Sequence, residues 1–214
     1  MQIPPAARPR SEARPHRLGY RGRRRIPLCR GGAEGYQSSR WEASINENAV
    51  ALRLARHRDL PFIMATERLP GFEQMVGRWS EAEHLATLAR PNHAYLVGTN
   101  TAGDCAAFAI IRDLDDAHGN LCLKRIAVTN PDRGFGSKFL SLVVDWAFSE
   151  TACHRLWLEV LVNNARARHV YSSHGFANEG LLRGAFKLPD DSRTDLVLMS
   201  LTRPEWIGLR GKHA

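Results

Sequence analysis

The chain has 214 residues, 30 basic against 22 acidic, for a formal net charge of +8, with four cysteines. That length allows one ordinary domain plus an extension. No apolar run of about 15 residues is present, so neither a secretory signal nor a membrane span is expected. The cysteines form no CxxC pair and no Cys/His ligand set, which argues against a disulfide framework or a zinc module.

The charge is unevenly spread. Residues 1–48 hold ten arginines and four glutamates and carry +6, leaving +2 for everything after them. This first segment is rich in Arg, Pro, Gly and Ser, and such a composition buries too little apolar surface to offset its ordering entropy. It reads as a disordered extension. Arg21-Gly22-Arg23-Arg24-Arg25 could touch RNA or a membrane surface, and the segment has the arginine-rich look of a transit peptide, although its prolines break any amphipathic helix. A tail without function, or an over-extended start, is the simpler reading. The near-neutral remainder does not call for nucleic acid.

Order is expected from about Ala49. Val50, Leu52 and Leu54 alternate with less apolar positions and make a half-exposed strand. Asp59 before Leu60-Pro61-Phe62 reads as a helix start, and Leu69-Pro70-Gly71 as its stop. Phe72–Trp79 reads as a short helix. Ser80 caps the next one, with Glu81 and Glu83 in its first turn, and Pro91 ends it. Ala94–Val97 and Cys105–Ile111 read as strands joined by the turn Thr99–Gly103, followed by a loop over Asp113–Asn120.

The stretch from Leu121 to Ser149 organises the chain. Leu121, Leu123 and Ile126–Val128 form an apolar strand that ends at the turn formers Thr129–Asp132. Arg133-Gly134-Phe135-Gly136-Ser137 follow, and then a helix whose polar positions Lys138, Ser141, Asp145 and Ser149 make one wet stripe on an apolar cylinder. A buried helix with a glycine-rich first turn and a preceding arginine suits a phosphate: its first N–H groups lack internal partners, the macrodipole is positive there, and glycine permits close approach. A turn that uses glycine for its backbone angles alone would look the same. Phe139 stands where a dinucleotide fingerprint needs a third small residue, and the one-residue spacing of Gly134 and Gly136 excludes a Walker loop.

Further on, Arg155–Val162 reads as a strand. Asn164 caps a helix closed by Gly175, with Ala167, Val170 and Tyr171 turned inward. Ala177–Lys187 and Thr194–Leu201 read as a final hairpin, and Pro204 as the end of the domain, leaving 205–214 as a tail. His169 and His174 share a helix but lie on different faces, so no metal site is expected.

Two stretches together resemble the GNAT acetyltransferase superfamily. Val128, Arg133 and Gly136 are similar to its acyl-CoA loop, Arg/Gln-x-x-Gly-x-Gly/Ala between a strand and a helix, with Lys138 in place of the last small residue. Asn164, Tyr171 and Gly175-Phe176 match its second signature. The resemblance covers about residues 49–204 and implies a mixed α/β fold: a mostly antiparallel sheet splayed between strands 4 and 5, with helices on both faces. It implies acetyl-CoA as co-substrate and no metal. Ile126, Ala127 and Val128 would meet the pantetheine arm and thioester. The loop Arg133, Gly134, Phe135, Gly136, Ser137 and Lys138 would hold the pyrophosphate, and Asn164 would lie on the far side of the cofactor. Tyr171 would protonate the leaving thiolate.

The general base is left open. Cys122 stands where many relatives carry a glutamate, Glu159 is a second candidate, and water needs no assigned residue. Glu179–Arg183 with Asp195 resembles the branch that acetylates N-terminal amines of ribosomal proteins, so the expected partner is an amine, a protein N-terminus before a small amine such as a polyamine, amino acid or aminoglycoside. Asp113, Asp115 and Asp116 read as a solvated turn, not as a polyamine site. A monomer or homodimer in the cytoplasm, without membrane or nucleic-acid partner for the folded part, completes the expectation. A catalytically silent acyl-CoA sensor and a nucleic-acid-binding module using the basic tail are the alternatives from other classes.

Overall fold

The computed structural model describes residues 50–73, 76–130 and 134–211; the Arg-rich extension and Arg133 lie outside them. Seven strands form one sheet in the order β1-β2-β3-β4-β5-β7-β6. They are β1 (Ala51–Leu54), β2 (His93–Thr99), β3 (Cys105–Arg112), β4 (Asn120–Val128), β5 (Arg155–Leu161), β6 (Ala177–Lys187) and β7 (Arg193–Thr202). Every neighbouring pair is antiparallel except β4 and β5. This is the mixed, mostly antiparallel sheet that the resemblance implied.

Side-chain alternation assigns the helices to faces. Along β2 and β3, Leu96, Ala107, Ala109 and Ile111 point into one apolar cluster, and Tyr95, Phe108 and Ile110 into another. The first cluster is closed by α3 (Phe135–Glu150), which buries Phe139, Leu140, Val143, Val144, Ala147 and Phe148, and by α4 (Ala165–Ser173) through Ala167, Val170 and Tyr171. The second is closed by α1 (Leu60–Glu67), through Leu60 and Ile63, and by Leu88 of α2 (Glu81–Leu88).

Capping follows the sequence at α2, where Ser80 accepts from the Glu83 N–H at 3.3 Å and Glu83 answers to the Ser80 N–H at 2.7 Å. Two expectations need correction. Phe72–Trp79 is not helical among its described residues; its shape comes instead from side chains that tie it down, described below. Pro204 does not end the ordered chain. It occupies the first turn of a fifth helix, α5 (Arg203–Arg210), where a missing N–H costs nothing. Trp206 of α5 stacks on Phe148 at 5.2 Å and donates its indole N–H to Asp145 at 2.8 Å. No described helix is long and apolar enough to cross a membrane.

Candidate active site

The parallel pair β4–β5 is registered for three residues only: Asn120 with Arg155, Leu121 with Leu156 and Cys122 with Trp157. Beyond Cys122 the two strands part, while each keeps its other neighbour. β4 stays with β3 as far as Val128, and β5 stays with β7 over its whole length. An extra residue in β4, Lys124, sits opposite the junction of Ile110 and Ile111 and bulges the strand where the parting begins.

The ladder decides what faces the gap. Thr129 donates to the Ala106 carbonyl at 2.9 Å, and Ala127 lies opposite Phe108. In an antiparallel ladder hydrogen-bonded pairs alternate, so Ile126 and Val128 turn their N–H and C=O groups away from β3 and into the gap, where β5 offers no partner. Both side chains are half-buried in the α3 cluster.

The α3 N-terminus follows directly. Gly134 holds φ +71°, a left-handed conformation that a Cβ-bearing residue adopts only with strain, and nothing lies within 4 Å of where its Cβ would be. Lys138 donates to the Gly134 carbonyl at 3.3 Å, so the N–H groups of Phe135, Gly136 and Ser137 precede the first intrahelical bond. Phe135 is buried and anchors the turn, whereas Gly134, Ser137 and Lys138 are exposed. An exposed, positively polarised helix end beside unpaired strand amides suits a phosphorylated ligand with an extended amide-bearing arm. Acyl-CoA fits that description.

The Asn164 side-chain oxygen accepts from the Ala167 N–H at 3.1 Å and caps α4. Tyr171 packs at a tilt against Phe176, ring centroids 5.9 Å apart, in the cluster that also takes Ile126, Val128 and Val160. Burial alone pushes its hydroxyl up to about 12, so it is protonated at neutral pH and has a proton to give. His174 ties the two helices together. Its Nδ1 lies 2.8 Å from the Val170 carbonyl, and its Nε2 lies 3.0 Å from the Ser137 carbonyl and 3.1 Å from the Ser141 hydroxyl. That contact, between the first turn of α3 and the helix bearing Tyr171, was not seen in the sequence.

On the opposite face the structure contains a buried polar network that the sequence reading also missed. Glu67, at the end of α1, and His84 of α2 are both fully buried, and Arg125 of β4 nearly so. Glu67 accepts from Arg125 at 2.6 Å, from the Trp79 N–H at 3.3 Å and from His84 Nε2 at 3.2 Å; His84 Nδ1 meets the Tyr95 hydroxyl at 3.1 Å. Burial pulls the Arg125 guanidinium below its ordinary range, against the Glu67 carboxylate, which supports its charge. Arg125 also lies under the Trp79 ring at 3.8 Å. At Gly77 a Cβ would fall 2.4 Å from Arg125 Nη2, so any other residue there would have to displace the guanidinium from its place. The described end of the segment between α1 and α2, Gly77 and Trp79, is thus held against Arg125 and Glu67 by charge and not by helical periodicity. An arginine inside the apolar β4 run is the one signal that could have pointed to it.

Of the base candidates, Cys122 is buried and its thiol is pushed up to about 11, which leaves it protonated. Glu159 is exposed on β5, in register with Leu198. Glu179 forms a charge pair with Arg155 and accepts from the Ser200 hydroxyl at 2.6 Å, and Asp195 accepts from the Gly184 N–H at 2.7 Å. Both residues hold the last hairpin together.

A model described as the acetyltransferase (GNAT) family matches residues 61–176, more than half of the chain. The chain belongs to the acetyltransferase (GNAT) family. Among curated proteins it is 38% identical over 103 residues to the ribosomal protein bS18-alanine N-acetyltransferase of Escherichia coli K12, a stretch covering 46% of this chain and 65% of that protein. The match therefore spans slightly less than two thirds of that relative. It is 33% identical over 57 residues to a spermidine N(1)-acetyltransferase of Vibrio cholerae, covering 27% of this chain and 33% of that one. Among solved structures, the spermidine N-acetyltransferase of Vibrio cholerae in complex with CoA and spermine superposes with a TM-score of 0.67 at 19% identity, over 74% of this chain and 98% of that one. At that identity the likeness establishes the GNAT fold. The parted β4 and β5, the glycine turn of α3 and the tyrosine of α4 are the parts of this fold that the two sequence signatures occupy.

Proposed function

We propose that the chain is an N-acetyltransferase that moves the acetyl group of acetyl-CoA to a primary amine by direct attack in a ternary complex. The observation that carries this is the three-residue β4–β5 pairing: it leaves the amides of Ile126 and Val128 facing an open gap next to the bare N-terminus of α3. Gly134, Phe135, Gly136, Ser137 and Lys138 hold the pyrophosphate, with Arg133 as the added cation, and Asn164 borders the cofactor while capping α4. Backbone N–H groups of β4 support the charge that develops on the thioester oxygen as the amine nitrogen bonds to its carbon. The C–S bond breaks, Tyr171 gives its proton to the departing thiolate, and the proton lost by the new amide leaves through water. The thiol of Cys122 takes no part as a base, being held protonated.

The acceptor is a protein N-terminus in preference to a small amine. The relative acting on ribosomal protein bS18 supports this, with the longer and closer of the two curated matches. The Asp113–Asp116 turn does not oppose it: Asp113 pairs with Arg112, and Asp116 accepts from the backbone of His118 and Asn120, which uses it up as a turn. One chain supplies every group named, in keeping with a monomer or homodimer, and the free thiols Cys105, Cys122 and Cys153 fit a cytoplasmic setting. A thiol-release screen with acetyl-CoA against peptides, polyamines, amino acids and aminoglycosides tests the reading. Transfer to peptide N-termini is expected. Transfer to a small amine alone would replace the acceptor, and no acetyl-CoA binding by the folded protein would remove the enzyme.

A further inference from the structure

A cleft of about 550 Å³ lies between α2, the start of β2, the end of β3 and the β4 bulge, on the α1–α2 side of the sheet. Trp79, Glu83, Arg90, His93, Arg112 and Lys124 line it. Its charges do not balance. Glu83 is engaged by the Ser80 amide and hydroxyl at 2.7 and 2.8 Å. Arg112 reaches Asp113 at 3.1 Å, whereas Arg90 and Lys124 form no ion pair among the described residues. His93 registers this field: burial first, then the positive charge of Arg90, holds its imidazole below the ordinary histidine range, with Arg112 adding to the effect and Asp113 and Asp115 opposing it.

The cleft adjoins the place where β4 and β5 part, through Lys124 of the bulge. Cys122, the last β4 residue paired with β5, has Arg112 opposite it on β3 and Trp157 opposite it on β5. The Arg112 guanidinium lies over the Trp157 ring at 5.4 Å. Lys124 precedes Ile126 by two residues, roughly 7 Å along an extended strand. An acceptor whose amine enters the gap from this face therefore passes Lys124 and Arg112, with Arg90 in the same cleft.

Resting on the acetyl-transfer reading above, we infer that this cleft receives a carboxylate carried close to the acceptor's amine, so that the preferred acceptors are anionic amines, acidic peptide N-termini foremost. Polyamines are disfavoured by the same argument. Each further ammonium of a polycation would lie among unpaired like charges, while a carboxylate gains at each of them.

The test uses the full chain and hexapeptides that share an N-terminal alanine and carry glutamate, glutamine or lysine at the next three positions, with spermidine and free glutamate alongside. The glutamate peptide should exceed the lysine peptide in kcat/KM by roughly tenfold or more. Arg90→Glu/Lys124→Glu should abolish or reverse that order while acetyl-CoA affinity, measured by calorimetry, shows the variant folded. Equal rates across the peptides, or a preference for lysine peptides or spermidine, would overturn the inference. Free glutamate outperforming every peptide would keep the carboxylate site and overturn the peptide preference. Should the protein bind acetyl-CoA yet acetylate nothing, the acetyl-transfer reading fails, and the N-acetylated glutamate peptide then decides the cleft by itself. Displacement of the His93 ring signals in NMR, absent from the double variant, supports the anion site; no displacement overturns it.

Discussion

The two sides of the β4–β5 gap are built from different materials. On the α3 side the site rests on apolar packing and backbone: a left-handed glycine, a buried phenylalanine, strand amides turned outward and a tyrosine held in a hydrocarbon cluster. On the α1–α2 side it rests on charge: Glu67, His84, Tyr95 and Arg125 hold Trp79, and Arg90 and Lys124, which form no ion pair among the described residues, line the cleft beyond it. The first arrangement suits a ligand that never changes. The second can be rewritten residue by residue without disturbing the first, which is how one fold serves many acceptors.

Breaking the charged side should have the largest effect. Glu67→Ala leaves Arg125 buried without a counter-charge, and loss of one partner of such a pair costs about 3–5 kcal/mol. Urea unfolding should show that loss together with a shift in Trp79 fluorescence. A loss within experimental error would mean that the network is solvated.

Breaking the apolar side should affect the reaction and not the fold. Tyr171→Phe keeps the packing on Phe176 and removes one proton donor, so kcat should fall roughly a hundredfold with acetyl-CoA affinity almost unchanged. The wild-type rate should rise with pH as the acceptor amine deprotonates. It should show no fall that belongs to Tyr171 until near its own value of about 12, and a descending limb two or more units lower would assign the proton to another group.

A smaller effect sharpens the contact between the helices. His174→Leu removes the side chain that reaches the Ser137 carbonyl and the Ser141 hydroxyl. One or two lost hydrogen bonds should raise KM for acetyl-CoA by about 3- to 10-fold with kcat little changed, and His174→Gln should recover part of it. The smallest effect lies far from the gap. Arg53 chiefly, with the Arg56 amide, holds Asp59 below its ordinary value. A depressed carboxylate stabilises the fold above its unfolded value and loses that contribution as pH falls through the folded one. The melting temperature should therefore drop below about pH 4, less steeply in Arg53→Met.

The contrast also explains what could be read from the chain. Val128, Gly134, Gly136, Asn164, Tyr171 and Gly175-Phe176 lie in two continuous stretches whose local chemistry is strand, tight turn and capped helix, so their placement follows from short-range rules. Ala94–Val97 and Cys105–Ile111 likewise read as strands from their continuous apolar runs, and both are buried along most of their length. The network was not legible, because Glu67 and Arg125 are 58 positions apart and meet only after the sheet has formed. Phe72–Trp79 read as a short helix, whereas Phe72, Val76 and Trp79 are used to cover the Tyr95, Phe108 and Ile110 cluster. Past Pro204, the sequence signal for a stop was the signal for a start, and Trp206 and Leu209 pack on the core.

Amide hydrogen exchange at Ile126, Ala127 and Val128, with and without acetyl-CoA, tests the central claim most directly. The amides of Ile126 and Val128 face the gap and should slow strongly when the ligand is added, whereas that of Ala127, already bonded to β3, should change little. Binding without added protection at Ile126 and Val128 would place the cofactor elsewhere and contradict the account.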